Sequence, residues 1–408
     1  MKKRFWIDNF EQTPRDPIMQ ENIEFLEDRR PEKVNAGIGM IMDERRGRVF
    51  VPAVVVRVGK KLAFENVGYL ESAGHTGYLE SHARELVFGP ELWSQIQRKK
   101  GEKPETLVWA QTIGGTNALK WAATLLELGL LQGHKKLLLD PGWPNHLNIF
   151  RKFKIISYIH EDSATRAYRH TEYMKKLKNH LRECPVLLQV AGYNDDGTER
   201  TFAQWDEIVE VIYSKKLQPI LDFAYNGLVN GWYEDNYLVK RLTKKGAVTI
   251  ICVSNSKNVG YNLRLGSLYI VNLSPMAATK IQATLANSLI RPDYSNPVAI
   301  GAETLSTILN DKILLLEYKN EIDKVRLEIL EHNRRKMVEA LGRNFAWILK
   351  KKGLFFKLIP GGFSSQQVRF LKNEKAIHGP QSSRLNIGGL PSSRISEIAR
   401  VYKLALSM

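Results

Sequence analysis

Six short apolar runs recur through the middle of this chain, most of them separated by stretches long enough for a helix: Leu107–Ala110, Leu137–Leu139, Ile155–Ile156, Val186–Leu188, Pro219–Leu221 and Ala247–Val253. The runs are continuous rather than alternating. A strand with one wet face alternates apolar and polar residues, whereas a strand buried on both faces does not. The pattern therefore specifies an α/β fold, a mostly parallel sheet with helices on both faces. Leu265–Val271 is suited to close that sheet as a seventh strand.

The period changes after Asp311. Leu315, Tyr318, Ile322, Val325 and Ile329 recur at steps of three and four, the seam of one long amphipathic helix running past Met337 towards Gly342. The tail beyond it, with Phe355-Phe356 and Val368-Arg369-Phe370, reads as a small α+β unit. The expected organisation is an amino-terminal arm with part of a small domain over 1–48, a large domain over 49–310, and a bridging helix with the rest of the small domain over 311–408. A chain of 408 residues, 43% hydrophobic and 25% charged, can bury more than one core and has the make-up of ordinary globular proteins.

Charge and cysteine content exclude several classes. The 60 basic and 43 acidic residues leave a formal +17, but the basic clusters are short and scattered: Arg98-Lys99-Lys100, Lys175-Lys176, Lys215-Lys216, Lys244-Lys245 and Lys350-Lys351-Lys352. A nucleic-acid footprint needs them on one face, so a solvated basic surface and no nucleic-acid partner are expected. Two cysteines, Cys184 and Cys252, cannot build a disulfide framework or a cysteine-based zinc ribbon. Both lie in apolar stretches, as expected of buried thiols in a reducing cytoplasm. The histidines show no metal-ligand spacing, so no metal is expected. The segment Met1–Asp8 starts like a signal peptide but lacks the apolar stretch behind it. No window approaches the roughly 18 apolar residues of a membrane span.

Three segments at strand ends carry polar groups, where doubly wound sheets place their ligands. Gln111–Leu119 contains Gly114-Gly115-Thr116, a turn opening into a helix; it is either a plain structural turn or a phosphate cup of backbone donors and a hydroxyl. Asp222 ends the run Pro219–Leu221; it is either a helix N-cap or a carboxylate kept ionised by a cation. Ser254-Asn255-Ser256-Lys257 ends the next run, and its lysine is either solvated or desolvated and nucleophilic. Singly these are ambiguous. Together, a phosphate cup, a carboxylate and a lysine in that order are what pyridoxal phosphate requires: a Schiff-base lysine, a partner for the pyridine nitrogen and a phosphate site.

With these residues the chain resembles the class I aspartate and aromatic aminotransferases of fold type I, nearly end to end. Asn35-Ala36-Gly37-Ile38-Gly39 with Asp43-Glu44 is similar to the family's amino-terminal glycine motif, and Trp143-Pro144-Asn145-His146 to its active-site loop. Arg291–Pro297 resembles the arginine segment of the dicarboxylate-binding branch, and Ser383-Arg384-Leu385-Asn386 the carboxyl-terminal arginine motif. The resemblance implies that Lys257 forms the Schiff base and moves the substrate α-proton, that Asp222 pairs with the pyridine nitrogen, and that Tyr225 and Asn194 bond the ring oxygen. It implies that Ser254, Gly115, Thr116 and Arg264 hold the phosphate, helped by Tyr69 of a second subunit, with Trp143 against the ring. The substrate α-carboxylate then falls to Arg384 near the Gly39 backbone, with Trp143 and Asn194 alongside, and a side-chain carboxylate to Arg291 across a homodimer interface.

Two departures stand out. The family's Asn-Pro-Thr-Gly is Asn194-Asp195-Asp196-Gly197 here, so the proline that sets that loop's path is missing. Lys257 to Arg264 is one residue shorter than in the similar branch. The leading expectation is a ping-pong aminotransferase moving an amino group between aspartate or glutamate and a 2-oxo acid. Within the fold the alternatives are an aromatic aminotransferase and a decarboxylase or lyase. A catalytically dead relative would have lost Lys257 or Asp222, and neither is lost.

Overall fold

The computed structural model describes residues 10, 16–63, 68–98, 106–130 and 132–408. Met1–Asp8 and part of the Arg98-Lys99-Lys100 cluster lie outside them. Seven strands form the central sheet: β1 (Val108–Thr112), β2 (Lys136–Leu139), β3 (Lys154–Ile156), β4 (Pro185–Gln189), β5 (Gln218–Phe223), β6 (Thr249–Ser254) and β7 (Gly266–Val271). Their spatial order is β1-β7-β6-β5-β4-β2-β3. Only β7 runs against the rest, pairing antiparallel with both β1 and β6.

The continuous apolar runs have the expected cause. Successive residues of each strand enter different cores on opposite faces. Val186 and Leu188 of β4, Leu221 of β5 and Val253 of β6 pack with Ile208, Ile212, Leu238 and Leu242. Leu187, Ile220 and Cys252 pack on the other face with Ala118, Leu119 and Ala122 of the helix Gly115–Gly129. Cys184 and Cys252 are both free and buried. Among the described residues, no helix is long and apolar enough to cross a membrane.

The long helix after Asp311 is present, but not as one regular α-helix. Lys312–Lys324 and His332–Leu341 are joined by a π-helical stretch, Val325–Glu331, and Gly342 at φ +103° ends the run. A π turn inserts one residue per turn. The buried seam accordingly steps from Val325 to Leu330, and Ile329 is left only partly buried against the core. Around this helix the chain's two ends meet. Val34–Asn35 pairs parallel with Ile377–His378, and Phe355–Lys357 pairs antiparallel with Arg384–Asn386.

One buried titratable group links the fold to pH. His82, on the helix Thr76–His82, is 1% exposed, with Nδ1 3.0 Å from the Tyr269 hydroxyl on β7. Burial pushes its imidazole down to about 3. The unfolded chain therefore binds a proton that the folded chain refuses as pH falls below the ordinary histidine value. This group's contribution is complete above that value and is lost towards pH 3, at about 1.4 kcal/mol per pH unit. Urea midpoints between pH 7 and 4 should fall less steeply for His82→Gln than for the natural protein. Identical slopes would show that His82 is not held neutral.

Candidate active site

The carboxyl ends of β1, β5 and β6 open on a cavity of about 290 Å³, lined among others by Gly39, Gly115, Thr116, Trp143, Asn194, Asp222, Tyr225, Ser254, Lys257, Arg264 and Arg384. Eleven of the thirteen residues singled out from sequence thus meet in one place. Tyr69 and Arg291 do not line it. They lie together on the surface, where Arg291 Nη1 donates to the Tyr69 hydroxyl and to Ser295 Oγ, both at 2.7 Å.

The floor of the cavity is set by β5 and β6. Asp222 pairs in register with Cys252, so its carboxylate and the segment following Ser254 emerge side by side. Asp222 is 8% exposed, and its Oδ2 lies 2.9 Å from Nε2 of His146, which is fully buried. A buried carboxylate needs such a partner. The Trp143 ring stands edge-on to the same imidazole, with centroids 5.0 Å apart. Lys257 is half-buried at the cavity wall, with Nζ 4.9 Å from the centre of the Tyr225 ring. Lost hydration lowers its pKa, Asp222 opposes that shift, and Arg384 adds to it. The neutral amine is therefore more accessible here than on a surface lysine.

At the other side, the turn Gly114-Gly115-Thr116 opens the helix Gly115–Gly129. Gly114 takes φ +115°, and a Cβ on Gly115 would come within 2.7 Å of Ser254 Cβ. Arg264 reaches the same turn, its Nη2 donating to the Ile113 carbonyl at 2.7 Å. A glycine cradle at a helix start, beside a hydroxyl and a guanidinium, is built for an anion such as phosphate.

Arg384 closes the cavity from the carboxyl-terminal segment. It is 4% exposed, with Nη1 donating to Asn194 Oδ1 at 2.9 Å and Nη2 to the Gly37 carbonyl at 2.9 Å. Its guanidinium lies 4.3 Å over the Phe355 ring. Asn194 Nδ2 in turn donates to the Tyr225 hydroxyl at 2.8 Å. Burial raises the Tyr225 pKa, so the hydroxyl keeps its proton.

Three residues at the cavity lay beyond the sequence reading or were left open by it. Tyr261 donates its hydroxyl to the Gly39 carbonyl, and Phe355 carries Arg384 on its face. His146, named above only as the last residue of the Trp143–His146 motif, is the partner of Asp222. Its place directly after Trp143-Pro144-Asn145 was the available signal; Tyr261 and Phe355 had none, because each acts on a residue remote in sequence.

Pyridoxal phosphate fits these residues. A lysine with a lowered pKa, a buried carboxylate and a glycine cradle line one cavity, and these are the three kinds of group that molecule requires.

Comparison with known proteins agrees with the geometry. The aminotransferase class I and II family model matches residues 62–400. A tyrosine aminotransferase of Klebsiella pneumoniae is 31% identical over 398 residues, covering 95% of this chain and 96% of its own. An aspartate aminotransferase of Haemophilus influenzae is 30% identical over 400 residues, covering 95% and 97%. The crystal structure of an aromatic-amino-acid aminotransferase from Burkholderia pseudomallei, covalently bound to pyridoxal phosphate, superposes with a TM-score of 0.86 at 28% identity over 98% of this chain and 100% of that one. Fold, cavity and likeness lead to one conclusion: the chain belongs to the class I and II aminotransferases, pyridoxal phosphate enzymes of fold type I.

Proposed function

We propose that this aminotransferase works on dicarboxylates, taking the amino group of aspartate or glutamate and passing it to oxaloacetate or 2-oxoglutarate. What supports this reading is Arg384, buried in the cavity, taken with the sequence motif around Arg291, a second guanidinium that lies outside the cavity of its own chain. A planar fork accepts a carboxylate through two charge-assisted hydrogen bonds. Arg384 takes the α-carboxylate, and Arg291 takes the side-chain carboxylate.

When bound, pyridoxal phosphate supplies a ring that accepts the electron pair released at the substrate α-carbon. The residues around it do the rest. Lys257 would hold the cofactor and carry the α-proton on Nζ, a task suited to an amine whose pKa burial has lowered. The Asp222 carboxylate, backed by His146, keeps a cation at the cavity floor. Tyr225 and Asn194 would bond the ring oxygen, Gly115, Thr116, Ser254 and Arg264 would hold the phosphate, and Trp143 would lie against the ring.

Arg291 and Tyr69 are exposed and outside the cavity of their own chain. In this reading they complete the site of a second copy, and the active enzyme is a homodimer. An aromatic substrate is the second reading. Ile18, Ile38, Met40 and Phe355 give the cavity an apolar side that would receive a ring.

Borohydride treatment of the yellow holoenzyme followed by peptide mapping should label Lys257, and Lys257→Ala should abolish that label. A different labelled lysine would sink the assignment. Mixing inactive Lys257→Ala and Arg291→Ala proteins, with subunit exchange verified, should restore activity through hybrid dimers; no recovery would place the whole site within one chain.

In this reading, substrate choice rests on the cost of leaving Arg291 unpaired once the second copy covers it, about 2–5 kcal/mol for a charge buried in that way. Unless the side chain swings out to solvent, kcat/KM for aspartate should exceed that for phenylalanine by about tenfold or more. Arg291→Leu should depress aspartate turnover strongly and spare phenylalanine. Equal values in the natural protein, or a preference for phenylalanine, would assign it to the aromatic branch.

A further inference from the structure

Asn194, which bonds both Arg384 and Tyr225, sits on a loop whose next residues are Asp195-Asp196-Gly197 in place of the expected proline and threonine. Both carboxylates are engaged. Asp196, 1% exposed, lies 3.0 Å from His160 Nδ1 and accepts the Thr198 amide at 2.8 Å. Asp195 forms an ion pair with Lys357.

The loop is joined to residues 351–357 at three successive points. Lys351, 2% exposed, donates to Thr198 Oγ1 and also reaches Glu161 Oε1 at 2.5 Å and the Arg166 carbonyl at 2.8 Å. The Lys352 amide donates to the Gly197 carbonyl at 2.8 Å. The Asp195–Lys357 pair is the third. Gly197 has φ +69°, and a Cβ there would lie 2.2 Å from the Phe355 carbonyl, so the two segments are in backbone contact.

The segment so attached pairs with the strand that carries Arg384. Lys357 is the register partner of Arg384, and Phe355 supplies the ring beneath its guanidinium. Asp195 and Lys357 therefore flank the Asn194–Arg384 contact, Asp195 next to Asn194 in sequence and Lys357 opposite Arg384 across the strand pair. We propose that Asp195 and Lys357 are positioning residues for carboxylate binding: their ion pair fixes the distance between the Asn194 loop and the strand bearing Arg384, the task that the expected proline would perform by stiffness. This rests on the reading of Arg384 as the α-carboxylate site.

The two side chains are 27% and 22% exposed, so solvent screens the pair in part; melting temperatures measured beside affinity separate its effect on stability from its effect on binding. The test uses the holoenzyme and succinate, a dicarboxylate with no amino group to react, with affinity measured by calorimetry beside kcat and KM for aspartate. Asp195→Asn and Lys357→Met should each weaken succinate about tenfold and raise the aspartate KM similarly, with kcat held within about threefold. Their visible spectra and melting temperatures should match those of the natural protein. The reversed pair, Asp195→Lys with Lys357→Asp, should recover most of the loss.

A simple charge effect on Arg384 predicts otherwise: removing the Asp195 carboxylate would tighten succinate, and removing the Lys357 ammonium would weaken it. That result, or a reversed pair no better than the weaker single variant, overturns the pairing. If Arg384→Leu leaves succinate affinity unchanged, the carboxylate-site reading itself falls, and the proposal with it.

Discussion

A guanidinium removed from water must find oxygen acceptors for its donors, and Arg384 finds them on two stretches far from its own. Its contacts to Gly37 and Asn194 draw the amino-terminal segment and the loop after β4 onto the strand Arg384–Asn386. The cavity exists because these three stretches converge there above the sheet. Asn386 extends the same tie, donating its side-chain amide to the Ile38 and Met40 carbonyls. The cation that is proposed to recognise substrate is thus also the knot that shapes the mouth of the site.

Below that knot, the sheet supplies an opposite charge. Asp222 lies within β5, and Lys257 follows three residues after the end of the adjacent parallel strand β6, so the sheet brings the two segments side by side. Pre-organisation of this kind places charges before substrate arrives, which is where electrostatic catalysis gains most. His146 adds a second layer. By occupying one oxygen of Asp222 it orients the other, and the Trp143 ring packs against its edge.

The sheet was legible because burial on both faces leaves a direct trace, the unbroken apolar run. The cavity floor was legible for a related reason: Asp222 and Lys257 are polar residues at the ends of such runs, where polar residues need an explanation. The long helix was legible in extent but not in phase. Its π turn shifts the seam from Ile329 to Leu330, a choice made by packing against the rest of the core rather than by local spacing. The two-residue strands Val34–Asn35 and Ile377–His378 carry no periodicity at all. The missing proline after Asn194 was visible at once, yet Lys351 and Lys357 could not be connected with it. Side chains that compensate for a lost backbone constraint leave no pattern when they lie more than a hundred residues away.

The place of β7 between β1 and β6 has a consequence for the order in which a nascent chain becomes competent. β1, whose end forms the phosphate cradle, touches the rest of the sheet only through β7: Thr112 is in register with Gly266, and Gly266 with Ser254. A ribosome must therefore release everything through Val271 before the cradle is held in place. Until then β1 has an unpaired edge on each side, and its apolar residues wait for a partner not yet made. Pairings between strands so distant in sequence close late and slowly. Cofactor capture thus belongs to the end of folding rather than its beginning, and the exposed edge of β1 is the place where a stalled or truncated chain would first find a wrong neighbour.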